Sequence, residues 1–87
     1  MQVRELTNAE RIRFHARGVL VERIADGSKI AGTNMEENYI ITSVNDNPVE
    51  TVEDLAAEIK GSRSKVRVDG FYGRLPGKTY PYTFEKE

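Results

Sequence analysis

Apolar and β-branched residues come in short runs separated by glycine, proline and asparagine, a pattern typical of strands joined by tight turns. Residues 2–6 predict a first strand, and residues 18–24, rich in β-branched side chains, predict a second. Residues 39–45 are apolar at consecutive positions, which indicates a strand buried on both faces. Between the second and third of these strands, residues 28–31 have room for no more than one helical turn.

A first helix is predicted after the first strand. Thr7 is followed three residues later by Glu10, the spacing of a capping box, in which each residue's side chain bonds the other's backbone N–H. This pair predicts a short helix over residues 8–14, with Ile12 facing the core.

The second helix has the clearest periodicity in the chain. Thr51 is its N-cap, Asp54 stands at the capping-box position, and the helix covers residues 52–60 before Gly61 ends it. Its apolar residues recur at i, i+3, i+4 and i+7 and form one stripe: Val52, Leu55, Ala56 and Ile59. We expect Leu55 to point into the core, with Val52 and Ala56 at the margin of the stripe.

The chain closes with a predicted hairpin formed by residues 65–72 and 79–85, joined by a loop over residues 73–78. Alternation of side chains along a strand places Tyr80, Tyr82 and Phe84 on one face of the second arm. Pro81 cannot donate a ladder hydrogen bond, so this arm is predicted to lie at a sheet edge or to turn the position of the missing donor towards solvent.

The element order is β-α-β-turn-β-α-β-β, which predicts an α+β fold. Its natural packing is a small, mostly antiparallel, partly open barrel or sandwich with two helices. With 87 residues, of which 38% are hydrophobic, residues 1–87 are expected to form one domain around a single core.

Composition excludes several function classes. Thirteen Lys and Arg against 14 Asp and Glu give a net charge of −1, which argues against a nucleic-acid partner. The absence of cysteine and the presence of one histidine exclude disulfides, thiolate metal sites and His-pair zinc sites. No apolar run approaches the roughly 18 residues of a membrane span. The first six residues lack the apolar core of a signal peptide, so an exported parent would contain this chain as a fragment.

No motif in the sequence predicts catalysis or metal binding. His15 has no Gly-x-Ser-x-Gly or comparable partner, and Glu36 and Glu37 are not spaced like a calcium loop. Four arginines are either a basic patch or ordinary surface, and the interspersed acids favour surface: Arg11, Arg13, Arg17 and Arg23. Most of the six aromatic residues are expected to pack in the core and hairpin rather than stack on a ligand: Tyr39, Phe71, Tyr72, Tyr80, Tyr82 and Phe84.

Three stretches, in this element order, carry a family resemblance. They are Gly-Val-Leu-Val at residues 18–21, Gly-Ser-Lys-Ile-Ala-Gly at 27–32, and Ile-Ile-Thr-Ser-Val-Asn-Asp-Asn-Pro-Val at 40–49, before the Thr51-capped helix. The chain resembles the PDZ domains of bacterial HtrA (Deg) serine proteases over essentially its whole length. Its closing hairpin is similar to that of the last PDZ domain in some of them. The resemblance implies the circularly permuted bacterial PDZ topology.

Two departures from the family pattern matter. The family's Gly-Asp before the buried strand is replaced by Asn38-Tyr39, and asparagine can adopt the left-handed conformation that the glycine supplies. The family's carboxylate-binding loop lies just before the first strand, so we expect it upstream of Met1.

The resemblance implies a non-catalytic, peptide-binding module without cofactor or metal. In this family a peptide adds as a strand between a sheet edge and a helix. The matching residues here are Gln2, Val3 and Arg4 on the edge and Val52, Ala56 and Ile59 on the helix. Expected partners are peptide C-termini or unfolded segments, and other domains or protomers of a parent protease that is trypsin-like, exported and periplasmic.

A structural role is the rival interpretation. In it the PDZ groove is unused, and the domain serves protomer contacts or interdomain regulation in the same kind of protease. A stand-alone enzyme is the third and least favoured reading.

Overall fold

The structure, a computed structural model, describes residues 2–25, 27, 30–75 and 77–86. The strands are β1 (Gln2–Glu5), β2 (Val19–Arg23), β3 (Tyr39–Val44), β4 (Asn47–Pro48), β5 (Lys65–Tyr72) and β6 (Tyr80–Glu85), and the helices are α1 (Asn8–Phe14) and α2 (Val52–Gly61). The predicted order is confirmed. The two-residue strand β4 is an addition, and the described part of the predicted turn is a 3-10 turn at Ile30–Gly32.

All strand pairings in the sheet are antiparallel, in the order β1-β2-β3-β5-β6. The short strand β4 pairs with the end of β3, beyond the residues that β3 pairs with β2. The strands β1 and β6 therefore form the two edges. Pro81 lies on β6, so its predicted edge position is confirmed.

The main core lies between one face of the sheet and α2. Alternate residues of β2, β3, β5 and β6 meet there, together with Met35, Val49 and, from α2, Leu55, which is 2% exposed. Glycine is required at position 70 of β5, because a Cβ there would overlap the carbonyl oxygen of Ile40.

A smaller apolar cluster occupies the opposite face of the sheet. It consists of Leu6, Leu20 and Ile40, with Phe14 of α1 and Phe71 packed against it. Because Ile40 lies in this cluster and Ile41 in the main core, β3 is buried on both faces, as its sequence predicts.

The predicted inward position of Ile12 is wrong, because its side chain is 73% exposed. The helix α1 packs on the sheet through Phe14, whose ring meets Phe71 edge to face with centroids 6.1 Å apart. Two helical residues correspond to a rotation of about 200°, so a helix that turns Phe14 to the sheet turns Ile12 to solvent.

Both helices begin at the predicted N-caps, with one difference between them. At α1 the capping box is complete: Glu10 N donates to Thr7 Oγ1 at 3.2 Å and Thr7 N donates to Glu10 Oε1 at 2.9 Å. At α2, Asp54 N donates to Thr51 Oγ1 at 3.0 Å, but the Asp54 carboxylate accepts from Glu50 N rather than from Thr51 N.

Four tyrosines pack together at the β3–β5–β6 end of the core, with ring centroids 5.0–5.4 Å apart in three pairs. Tyr39 donates to the Tyr80 carbonyl, and the Tyr72 and Tyr82 hydroxyls bond each other at 2.8 Å. Burial raises the pKa of the Tyr39 phenol, and burial with the Tyr72 hydrogen bond raises the pKa of Tyr82. These rings are structural, as the sequence predicts.

The turn before β3 follows its sequence prediction. Asn38 has φ of 72°, in the left-handed region, and its N–H donates to the Val21 carbonyl at 2.8 Å. Asparagine thus fills the conformation that glycine supplies in the family pattern.

Within the described residues, no helix is long and apolar enough to cross a membrane.

Candidate functional site

The strand β1 has one partner and one free edge. Among the residues that the structure describes, it pairs with β2 alone, and Leu6 N donates to the Gly18 carbonyl as the ladder ends. Antiparallel strands bond through alternate residues, so Arg4, opposite Leu20, bonds to β2 as Leu6 does. The backbone N–H and C=O groups of Val3 and Glu5 therefore point away from the sheet, where a further strand can pair with them.

The helix α2 lies beside this edge and contacts both β1 and β3. Val3, Val52 and Ile59 are partly buried and all pack against the main core. Ala56 is exposed on the flank of the stripe, away from the buried Leu55. Partly buried apolar side chains thus stand on both elements, β1 and α2, and we call the region between them the β1–α2 groove.

One comparison with known proteins finds a match. No protein-family model and no curated protein matches the chain. Among solved structures, it matches the PDZ domain of HtrA3 bound to a phage-derived ligand, FGRWV, with a TM-score of 0.81. The match covers 100% of this chain and 82% of that chain, at 17% sequence identity. The chain has the fold of a PDZ domain. The α+β expectation from its sequence is thereby confirmed.

In this PDZ fold, the residues predicted for the site lie on β1 and α2, the two elements that flank the candidate groove. Val3, Val52 and Ile59 line the β1–α2 groove and Ala56 stands at its rim. Gln2 is exposed at the start of β1, opposite Arg23 of β2, where the ladder shifts register before Val3. Their contact with a peptide stays a prediction.

Arg4 is placed differently, because its side chain lies on the α1 face of the sheet. Its guanidinium binds both carboxylate oxygens of Glu10, at 2.7 and 3.0 Å, and also donates to the Glu5 carbonyl. The hydrogen bonds from Arg4 and Thr7 lower the pKa of Glu10 to about 2, and Glu10 raises the pKa of Arg4. The visible role of Arg4 is to hold β1 against α1, and a direct peptide contact stays a prediction.

Glu5 is a site residue that the sequence reasoning missed. Its backbone shares the free edge with Val3, and its carboxylate lies 3.9 Å from the Arg11 guanidinium. The sequence contains this information, because strand residues alternate with a period of two and the alternation that assigns Val3 to the groove also assigns Glu5.

Within the described ranges, the remaining chemical groups do not form a reactive constellation. His15 is exposed and caps the C-terminus of α1 in the left-handed conformation, with φ of 54°. Ser43 faces Asp69, and Ser62 bonds Asn45, so neither meets a histidine. Ser28 lies outside the described residues. Among those described, no group of three or more His, Cys, Asp or Glu could hold a metal ion.

Proposed function

We propose that the chain is a peptide-binding module that receives an extended segment at the free edge of β1. The observation that carries this proposal is the β1–α2 groove. Val3 and Glu5 offer backbone donors and acceptors there, while Val52 and Ile59 offer partly buried apolar surface on the facing helix. Strand addition draws its affinity from such backbone bonds and its selectivity from alternate side chains.

The groove selects for apolar side chains. The helix wall presents Val52, Ala56 and Ile59, none of which carries a polar group. Each apolar side chain that a peptide places against this wall contributes about 25 cal/mol per Å² removed from water. Exposed core segments and apolar C-termini of misfolded proteins have this character.

The proposal extends to the parent protein. The HtrA-type motifs in the sequence and the fold match to an HtrA3 PDZ domain support a role as a module of an HtrA-like serine protease. The proposal that this parent is exported to the periplasm comes from the sequence resemblance alone. The module itself performs no chemistry. It captures C-terminal or unfolded segments, and a trypsin-like domain elsewhere in the parent cleaves them. Other domains or protomers of the parent are its further partners.

The test uses two neighbouring exposed alanines of α2. Ala56 lies on the groove stripe, whereas Ala57 lies about 100° farther round the helix and faces solvent. Ala56→Lys places a long charged side chain over the groove, and Ala57→Lys adds the same charge outside it. The affinity of each variant for the peptide FGRWV is measured by fluorescence polarisation.

We expect Ala56→Lys to weaken binding about tenfold or more, which is about 1.4 kcal/mol, and Ala57→Lys to leave it within twofold. Equal effects of the two variants would contradict the groove assignment. No measurable binding of FGRWV or of other apolar C-terminal peptides, to this chain or to one extended upstream through the expected carboxylate-binding loop, would favour the structural rival, in which the groove is unused.

A further inference from the structure

The sheet face opposite α2 is only partly covered. The helix α1 has seven residues, none of them fully buried, and it packs on the sheet through one aromatic ring. Phe14 and Phe71 form an edge-to-face pair there, and each remains partly accessible. This face therefore offers aromatic surface that the fold does not use.

A cavity of about 450 Å³ adjoins the two rings, with Gly73 in its wall. A Cβ at Gly73 would lie 2.7 Å from carbons of the Phe14 ring, so the ring lies over this turn only because the residue is glycine. A second cavity, of about 390 Å³, shares Arg13, Phe14 and Gly73 with the first. We call the two cavities together the α1 cleft.

The charged side chains of the α1 cleft that form no ion pair within the described residues are positive. Arg13 and Lys78 line the first cavity, and no described Asp or Glu lines it. The Arg13 guanidinium lies 5.5 Å from the centre of the Phe14 ring, which holds the cation beside the aromatic surface. Within the described part of the chain, neither Arg13 nor Lys78 forms an ion pair with an acid.

The other charges near the cleft are already neutralised. Glu10 lines the second cavity, and Arg4 binds both of its carboxylate oxygens. Arg74 lines the same cavity and binds Glu36 at 2.8 Å. An incoming anion thus meets the two unpaired cations, Arg13 and Lys78, rather than a competing carboxylate.

From this combination we infer that the α1 cleft binds an acidic peptide segment that carries one aromatic side chain. The aromatic ring packs against Phe14 and Phe71, since offset and edge-to-face ring contacts add to the burial of apolar area. Flanking carboxylates pair with Arg13 and Lys78, whose charges complement theirs. The cleft lies on the opposite sheet face from the β1–α2 groove, so the inference does not depend on the proposed function.

The probe is the peptide Asp-Glu-Phe-Asp-Glu, acetylated and amidated so that it has no terminal carboxylate for a PDZ groove. Its binding is followed by NMR titration of the labelled protein. We expect saturable shifts at Phe14, Phe71 and Gly73. Arg13→Glu and Lys78→Glu should each weaken binding about tenfold. Arg63→Glu is the control, because Arg63 is an exposed residue just beyond α2 and forms no ion pair in the described residues. This charge reversal should leave the affinity for the peptide within twofold of the unaltered protein.

Three results would overturn the inference. The first is an equal loss of affinity in Arg63→Glu, which would indicate general electrostatic attraction. The second is equal binding of the peptide with Ser in place of Phe, which would remove the aromatic contact. The third is the absence of shifts around Phe14 at millimolar peptide. Unchanged FGRWV affinity in Arg13→Glu and Lys78→Glu would support a cleft separate from the β1–α2 groove, and a parallel loss would contradict it.

Discussion

Leu55→Ala tests the orientation of α2, on which the groove assignment depends. Leu55 is the buried residue of this helix and is 2% exposed. Truncation removes its contacts with the main core and leaves a cavity, and such changes cost about 2–5 kcal/mol. A chain of 87 residues has a total stability of roughly 4–13 kcal/mol, so the loss is a large share of the whole.

Urea unfolding followed by circular dichroism measures this loss. We expect the midpoint to fall with an unchanged m-value, and the melting temperature to drop by about 10 °C or more. Leu75→Ala is the matched control, because the same atoms are removed from a side chain that is 37% exposed, and it should cost less than about 1 kcal/mol. If Leu55→Ala were as mild as the control, the helix stripe would be rotated and the groove assignment would fall with it.

Three further predictions follow from other parts of the fold. The pKa of Glu10 is about 2 in the folded protein and about 4.3 in the unfolded chain, so the ionised Glu10 stabilises the fold above pH 4.3 and this stabilisation is lost as the pH falls towards 2. Glu10→Gln should therefore weaken the dependence of the urea midpoint on pH between pH 2 and 7. Gly70→Ala should unfold the domain by overlap with the Ile40 carbonyl, whereas Gly61→Ala, in open space, should not lower the melting temperature. In polarisation assays a peptide with Leu two residues before its C-terminus should outbind its Ser counterpart, and Val52→His should reduce or reverse that preference, because only His can bond the hydroxyl.

Features set by a few neighbouring residues could be predicted from the sequence. The Thr7–Glu10 capping box, the left-handed Asn38 and the edge position of Pro81 each follow from local backbone chemistry. The apolar stripe of α2 also agrees with the structure, because Leu55 alone among its members is fully buried. Periodicity was sufficient there since the helix is long enough to define a face.

Features set by packing between distant segments could not be predicted in the same way. The seven residues of α1 hold two large apolar candidates for the inward position, and the sheet face that carries Phe71 decides for Phe14 over Ile12. The pairing of Arg4 with Glu10 likewise requires β1 and α1 to meet, which no spacing along the chain specifies.

Amide hydrogen exchange along β1 tests the central claim most directly. In the free protein the amides of Val3 and Glu5 point away from β2 and should exchange fast, whereas the Arg4 amide should be protected by its partner, Leu20. At saturating FGRWV we predict that Val3 and Glu5 become protected while Arg4 is little changed, which is the signature of a strand added at the free edge. Val3 and Glu5 amides that stay unprotected in a saturated complex would contradict strand addition at β1.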